Sequence, residues 1–151
     1  NDGALVATAG LDALCRVWDL RTGRSIMALQ GHVKQILALD FCPVSSVKVA
    51  TGGDDNTVRL WDLRKRKSYY TFPAHPRMVS SVKYSECGDF LFSSSYDKTS
   101  KVWNLRNHTV VKTLAGHDEK VMCVDVEASG GHIVTASYDR TFKLWAPGSF
   151  R

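Results

Sequence analysis

The stretch Ser93-Ser94-Ser95-Tyr96-Asp97-Lys98-Thr99-Ser100-Lys101-Val102-Trp103 decides the architecture, because it has counterparts on both sides. A hydroxyl residue, an Asp four positions on and a Trp six further recur as Thr8, Asp12 and Trp18, as Thr51, Asp55 and Trp61, and as Thr135, Asp139 and Trp145. These are the only tryptophans in the chain, and they are separated by 43, 42 and 42 residues. Upstream of three of them stand His32, His75 and His117, separated by 43 and 42. Several residue types sharing one period define a repeat. A period of this length implies one supersecondary unit stacked on copies of itself.

Within the third unit the pattern predicts four strands, at Met78–Tyr84, Phe90–Ser94, Thr99–Trp103 and Thr109–Leu114. Turn-forming segments separate them, Glu86-Cys87-Gly88-Asp89 and Arg106-Asn107-His108 among them. The second unit carries one extra residue, placed in its first hairpin around Pro43–Lys48, where insertion costs little. Ile36–Phe41 and Val121–Val126 are apolar on both sides, which suits sheets covered on both faces. With the strands of each unit lettered a to d, Asn1-Asp2-Gly3 reads as an a–b turn and Trp145 as the end of strand c. The expectation is about three and a half four-stranded units, bounded at 1–30, 31–73, 74–115 and 116–151. Such an open fan would expose strand edges, so the expectation is the C-terminal part of a larger closed ring.

The motifs are those of a known family. Gly31-His32, Ala74-His75 and Gly116-His117 stand where a Gly-His pair is expected, and Trp18-Asp19, Trp61-Asp62, Trp103-Asn104 and Trp145-Ala146 where a Trp-Asp pair is expected. Over nearly its whole length the chain resembles the WD-repeat family. That resemblance implies an all-β propeller, part of a seven-bladed ring, with the outer strand of the last blade supplied from elsewhere. Asn104 and Ala146 depart from the pattern and leave the caps of those strands open.

Bulk properties agree with a globular domain. The chain has 151 residues, 44% hydrophobic and 23% charged, with a formal charge of +5. No apolar run reaches the roughly 20 residues that cross a bilayer. Cys15, Cys42, Cys87 and Cys123 include no C-x-x-C pair, so they read as small apolar residues of an intracellular protein. The sequon Asn107-His108-Thr109 would then be unused.

Each full unit aligns a His, a hydroxyl, an Asp and a Trp: His32-Thr51-Asp55-Trp61, His75-Ser93-Asp97-Trp103 and His117-Thr135-Asp139-Trp145. These imitate a Ser-His-Asp triad. A catalytic site, however, occurs once and presents an exposed nucleophile beside an oxyanion hole. A set that recurs in every unit with Trp as a further member reads as a structural hydrogen-bond chain, and no enzyme activity is expected. The histidines fall in separate blades and make a poor metal site. Gly52-Gly53-Asp54-Asp55 lacks the Lys-Ser/Thr of a phosphate loop. No cofactor, metal, membrane or small-molecule substrate is expected.

Two surfaces are candidates for partners. By family likeness, Leu11, Gln35, Leu37, Asp54, Met78, Ser80, Tyr96, Lys120, Met122 and Tyr138 belong to the top face, and such Tyr-, Met- and Leu-rich clusters commonly bind protein. The bland alternative is that neighbouring blades cover them. Arg21, Arg24, Arg64, Lys65, Arg66, Lys67 and Arg106 fall in three c–d turns with no acid among them. They would form a basic arc for RNA phosphate or an acidic peptide, or simply a solvated rim.

Within the family, two groups of segments are the most telling. Thr113-Leu-Ala-Gly-His117, Lys120-Val-Met122 and Ser137-Tyr-Asp-Arg-Thr-Phe-Lys-Leu-Trp145 are similar to the last repeat of the splicing branch found in the U4/U6 small nuclear ribonucleoprotein. Gly10-Leu11-Asp12 and Arg16-Val-Trp-Asp-Leu-Arg-Thr-Gly-Arg24 are similar to an earlier blade of that branch. This likeness implies a nuclear scaffold of pre-mRNA splicing. Its implied partners are other splicing proteins of the U4/U6 and U4/U6.U5 particles, a cyclophilin, and U4/U6 RNA. A substrate receptor of a ubiquitin ligase is the rival scaffold.

Overall fold

The computed structural model describes residues 4–146. Fourteen strands form four antiparallel sheets, with no helix among the described residues. The first sheet holds β1 (Leu5–Ala9), β2 (Leu14–Asp19) and β3 (Arg24–Gln30). The second is β4 (Ile36–Phe41), β5 (Lys48–Gly53), β6 (Thr57–Asp62) and β7 (Lys67–Pro73). The third is β8 (Val79–Tyr84), β9 (Phe90–Ser95), β10 (Thr99–Asn104) and β11 (Thr109–Ala115). The fourth is β12 (Val121–Val126), β13 (Ile133–Ser137) and β14 (Phe142–Trp145). Each sheet is a simple meander in chain order. This is a partial WD40 β-propeller. The expected a–b turn at Asn1-Asp2-Gly3 lies outside the described residues.

The sheets stack through their strands, and the cores lie between sheets. β1 packs on β4, β4 on β8, and β8 on β12. Cys15, Val17, Leu29, Ile36, Val49 and Trp61 join the first sheet to the second. Val58, Leu60, Val79, Val82, Leu91 and Trp103 join the second to the third. Phe92, Val102, Leu114, Val124 and Ile133 join the third to the fourth. The approach is close: a Cβ built at Gly52 would lie 2.6 Å from Val79. Polar bonds cross the same joints, from Ser80 Oγ to the Val121 carbonyl at 2.6 Å and from the Tyr84 amide to Asp40 Oδ2 at 2.8 Å.

The residues one and three before each Trp show what this stacking does. Val17 and Cys15, and Leu60 and Val58, are 0% exposed, whereas Leu144 and Phe142 on β14 are 64% and 75% exposed. Among the described residues, the equivalent face of the fourth sheet has no sheet over it.

Local chemistry sets the turns. The residue after each repeated Asp is left-handed: Ala13, Asn56, Lys98 and Arg140 have φ between 61° and 74°. The c–d turns repeat the device at Gly23, Arg66 and His108. The expected strands in the third unit match to within a residue at each end. Its first strand begins at Val79, and a bulge at Ser80 breaks the ladder between Val79 and Ser81. The same bulge recurs at Leu37 and Met122. Asn104 fills the Asp role after Trp: its Oδ1 accepts from the Arg106 amide at 2.8 Å, as Asp62 Oδ1 does from Arg64 at 3.0 Å.

Candidate functional site

Four side chains from three segments of each full sheet meet in one chain of hydrogen bonds. In the second sheet the Trp61 indole N–H donates to Thr51 Oγ1 at 2.8 Å, and that hydroxyl lies 2.7 Å from His32 Nε2. On the other side of the ring, His32 Nδ1 lies 2.8 Å from Asp55 Oδ2. The third sheet repeats this with Trp103–Ser93 at 2.8 Å, Ser93–His75 at 2.8 Å and His75–Asp97 at 2.7 Å. The fourth repeats it with Trp145–Thr135 at 2.9 Å, Thr135–His117 at 2.9 Å and His117–Asp139 at 2.8 Å. The first sheet keeps Trp18–Thr8 at 2.8 Å, and its Asp12 pairs with Arg16.

With the ring in its Nδ1–H tautomer every group in the chain is satisfied: the indole N–H gives to the hydroxyl, the hydroxyl gives to His Nε2, and Nδ1–H gives to the carboxylate. Burial pushes His32 below its ordinary value, outweighing the pull of Asp55. Burial alone would raise Asp55, but hydrogen bonds from Thr57 and His32 hold it below the usual carboxylate range. Asp97 is likewise lowered against burial by His75 and Thr99, and Asp139 is lowered chiefly by Thr141.

Those threonines are a fifth member that the sequence analysis missed. Thr57, Thr99 and Thr141 donate to the Oδ1 of their Asp at 2.7, 2.7 and 2.6 Å. The signal was a Thr two residues after three of the four repeated aspartates. The hydroxyls of Thr51, Ser93 and Thr135 are at most 1% exposed, so none offers a nucleophile to solvent. Among the described residues no cluster of His, Cys, Asp or Glu has the arrangement of a metal site.

The expected top-face residues divide. Leu11 and Tyr138 are 84% and 66% exposed, while Leu37 and Met122 sit at bulges with about two-fifths of their surface open. Gln35, Asp54, Met78 and Tyr96 are half-buried. Ser80 is half-buried too, and its hydroxyl bonds Ser94 and the Val121 carbonyl across the joint between sheets. Lys120 gathers its neighbours, its Nζ lying 4.8 Å from the Tyr96 ring centre and 4.4 Å from that of Tyr138.

The basic turns are less positive than their sequence implies. Arg64 is held by Asp62 through contacts of 3.1 and 2.9 Å, and Arg106 by Asp89 through contacts of 3.0 and 2.7 Å. The turns themselves contain no acid, but Asp62 at the end of β6 reaches Arg64, and Asp89 in the turn before β9 reaches Arg106. Arg24, Lys65, Arg66 and Lys67 are exposed.

The family model described as WD domain, G-beta repeat matches residues 23–62, 66–104 and 108–146. These matches cover more than half of the chain, and the protein belongs to the WD-repeat family. It is also similar to the general transcriptional corepressor TUP1 of Saccharomyces cerevisiae, at 42% identity over 40 residues. That segment is 26% of this chain and spans only 6% of the corepressor's length. WD-repeat domains are in general non-catalytic interaction scaffolds, and the buried tetrads fit that role. No helix among the described residues is long and apolar enough to cross a membrane.

Proposed function

We propose that this chain is part of a nuclear splicing scaffold, a propeller that helps assemble the U4/U6 and U4/U6.U5 small nuclear ribonucleoproteins. The observation that carries this reading is the pair of segments Ser137–Trp145 and Arg16–Arg24, which are similar to the splicing branch, although single motifs within them are shared with other WD-repeat proteins. The top face supports it as a binding surface. Tyr96, Lys120 and Tyr138 present aromatic and cationic chemistry side by side, and Leu11 adds an exposed apolar side chain on the first sheet. The partners on this reading are a further splicing protein and a cyclophilin. U4/U6 RNA is contacted indirectly, or through the cations left exposed in the basic turns.

Affinity purification of the full-length protein from nuclear extract tests the proposal. Recovery of U4 and U6 RNAs above a control bait is expected, and their absence defeats the splicing assignment. The stretch similar to a transcriptional corepressor favours a second reading, a scaffold of transcriptional repression. That reading, and a ubiquitin-ligase receptor, gain if the bait recovers repression complexes or a ligase adaptor instead.

A further inference from the structure

A cavity of about 200 Å³ opens between the second and third sheets, at the hairpin end that carries the basic turns. Cys42, Lys48, Tyr69, Tyr84, Arg106 and His108 are among its lining residues. Its polar groups are unusual in being unpaired. Tyr84 is 2% exposed, yet its hydroxyl has no hydrogen-bond partner among the described residues, and neither has the buried Nε2 of His108. The Tyr69 phenol and the Cys42 thiol both line the cavity. Tyr69 is close enough to act on the Tyr84 hydroxyl as an acceptor as well as by charge, but the contact falls short of full hydrogen-bond geometry, and Cys42 acts by charge alone. Burying such groups without partners is costly, so unpaired ones in a native cavity call for an explanation.

The His108 ring is fixed where it stands. It stacks on Tyr70 with ring centres 3.8 Å apart, and its backbone is held at φ 57°. Burial, then the Tyr69 and Cys42 neighbours, keeps the Tyr84 phenol protonated, so it serves as a donor. At the mouth, exposed Lys48 has its ammonium 5.9 Å from the Tyr69 ring centre and no ion pair among the described residues. The one acid lining the cavity, Asp89, is already bound by Arg106. Asp40 and Asp62 act on the Tyr84 and Tyr69 phenols from outside the lining, and the cavity itself offers donors, with the Lys48 ammonium at its mouth.

We propose that this cavity seats the carboxylate of an Asp or Glu side chain from a partner segment. The carboxylate accepts from Tyr84 O–H and His108 Nε2–H, while Lys48 supplies the counter-charge at the entrance. The volume suits one such side chain with the strand that carries it lying across the mouth. The inference is independent of the splicing assignment, since it needs only the two sheets.

The test uses the full-length protein and capped pentapeptides with a central Glu or Gln, titrated to high millimolar while tyrosine and histidine side-chain resonances are followed. The Glu peptide is expected to bind at least tenfold more tightly than the Gln peptide. Tyr84→Phe is expected to weaken Glu-peptide binding about tenfold, the loss of one hydrogen bond to a charged group. The same variant removes an unpaired hydroxyl, so its melting temperature should not fall. Lys48→Ala should weaken binding and flatten its salt dependence. Equal affinity for the two peptides, or binding unchanged by Tyr84→Phe, would leave a hydrated cavity only and overturn the proposal. Acetate binding as tightly as the Glu peptide would overturn the partner segment as its source.

Discussion

Asp97 holds His75 by a 2.7 Å contact that ties the loop entering β8 to the turn between β9 and β10. The carboxylate does more than this, because its Oδ1 also accepts from the Thr99 amide and hydroxyl at 2.9 and 2.7 Å. Removing it leaves the imidazole N–H, an amide and a hydroxyl without their acceptor. Asp97→Ala is expected to cost a few kcal/mol, at about 1–3 kcal/mol for a buried donor left unpaired. Thermal or urea unfolding measures it, and an unchanged midpoint would refute the role given to the carboxylate.

Ser93 stands at the centre of the same chain, between the Trp103 indole and His75. Ser93→Ala removes only the hydroxyl but strands a donor and an acceptor in a fully buried place. A loss of about 2–4 kcal/mol is expected. A double variant with His75→Ala should lose less than the sum of the two single losses, since both act on one network. Strict additivity in the double-mutant cycle would contradict the chain of bonds.

Acid should destabilise the domain in two stages. His32 has a folded pKa below its ordinary 6.5, so as pH falls through 6.5 the unfolded chain takes up a proton that the folded one refuses, and stability falls. Asp55 and Asp97 have folded values below 3.8, so the stability they contribute is present above that pH and is lost as pH falls through their folded range. Both effects have the same sign. A plot of unfolding free energy against pH should slope downward below about 6.5 and again below about 4. His32→Gln should remove the upper slope, and a flat profile between pH 6.5 and 5 would oppose it.

On the top face, Tyr138→Ala and Lys120→Glu are expected to reduce recovery of protein partners in affinity purification by severalfold. Tyr138 is largely exposed and Lys120 makes its ring contacts at the surface, so neither change should move the melting temperature by more than about 0.5 kcal/mol equivalent. Partner recovery equal to wild type would take these residues out of the interface.

Reversal of the exposed cations offers the matching test at the opposite rim. With Arg64 already occupied by Asp62, the charge that the second sheet's turn offers to phosphate rests on Lys65, Arg66 and Lys67. Changing these three to Glu should weaken RNA association and flatten its dependence on salt, whereas Arg64→Gln alone should do little. Identical affinity and salt slope in the triple variant would remove RNA from this rim.

The sequence by itself determined the unit, its strands and the residue types within each tetrad. These depend on contacts inside one sheet, where a fixed offset along the chain becomes a fixed position, and the same offsets recur every 42 or 43 residues. The accessory threonines were equally legible as a period, and they went unrecognised because a Thr in a strand is ordinary. Only the tertiary structure decided which top-face residues stay open. Ser80 gives its hydroxyl to the Val121 carbonyl of the next sheet, and Lys120 is flanked by Tyr96 and Tyr138. It also decided that Asp62 and Asp89 neutralise part of the basic rim, and that Tyr84 and His108 are left with unpaired atoms beside one cavity. Apart from Asp62–Arg64, which lies within one turn, these meetings are made across sheets or between turns, by residues far apart in the chain, and no offset along the sequence announces them.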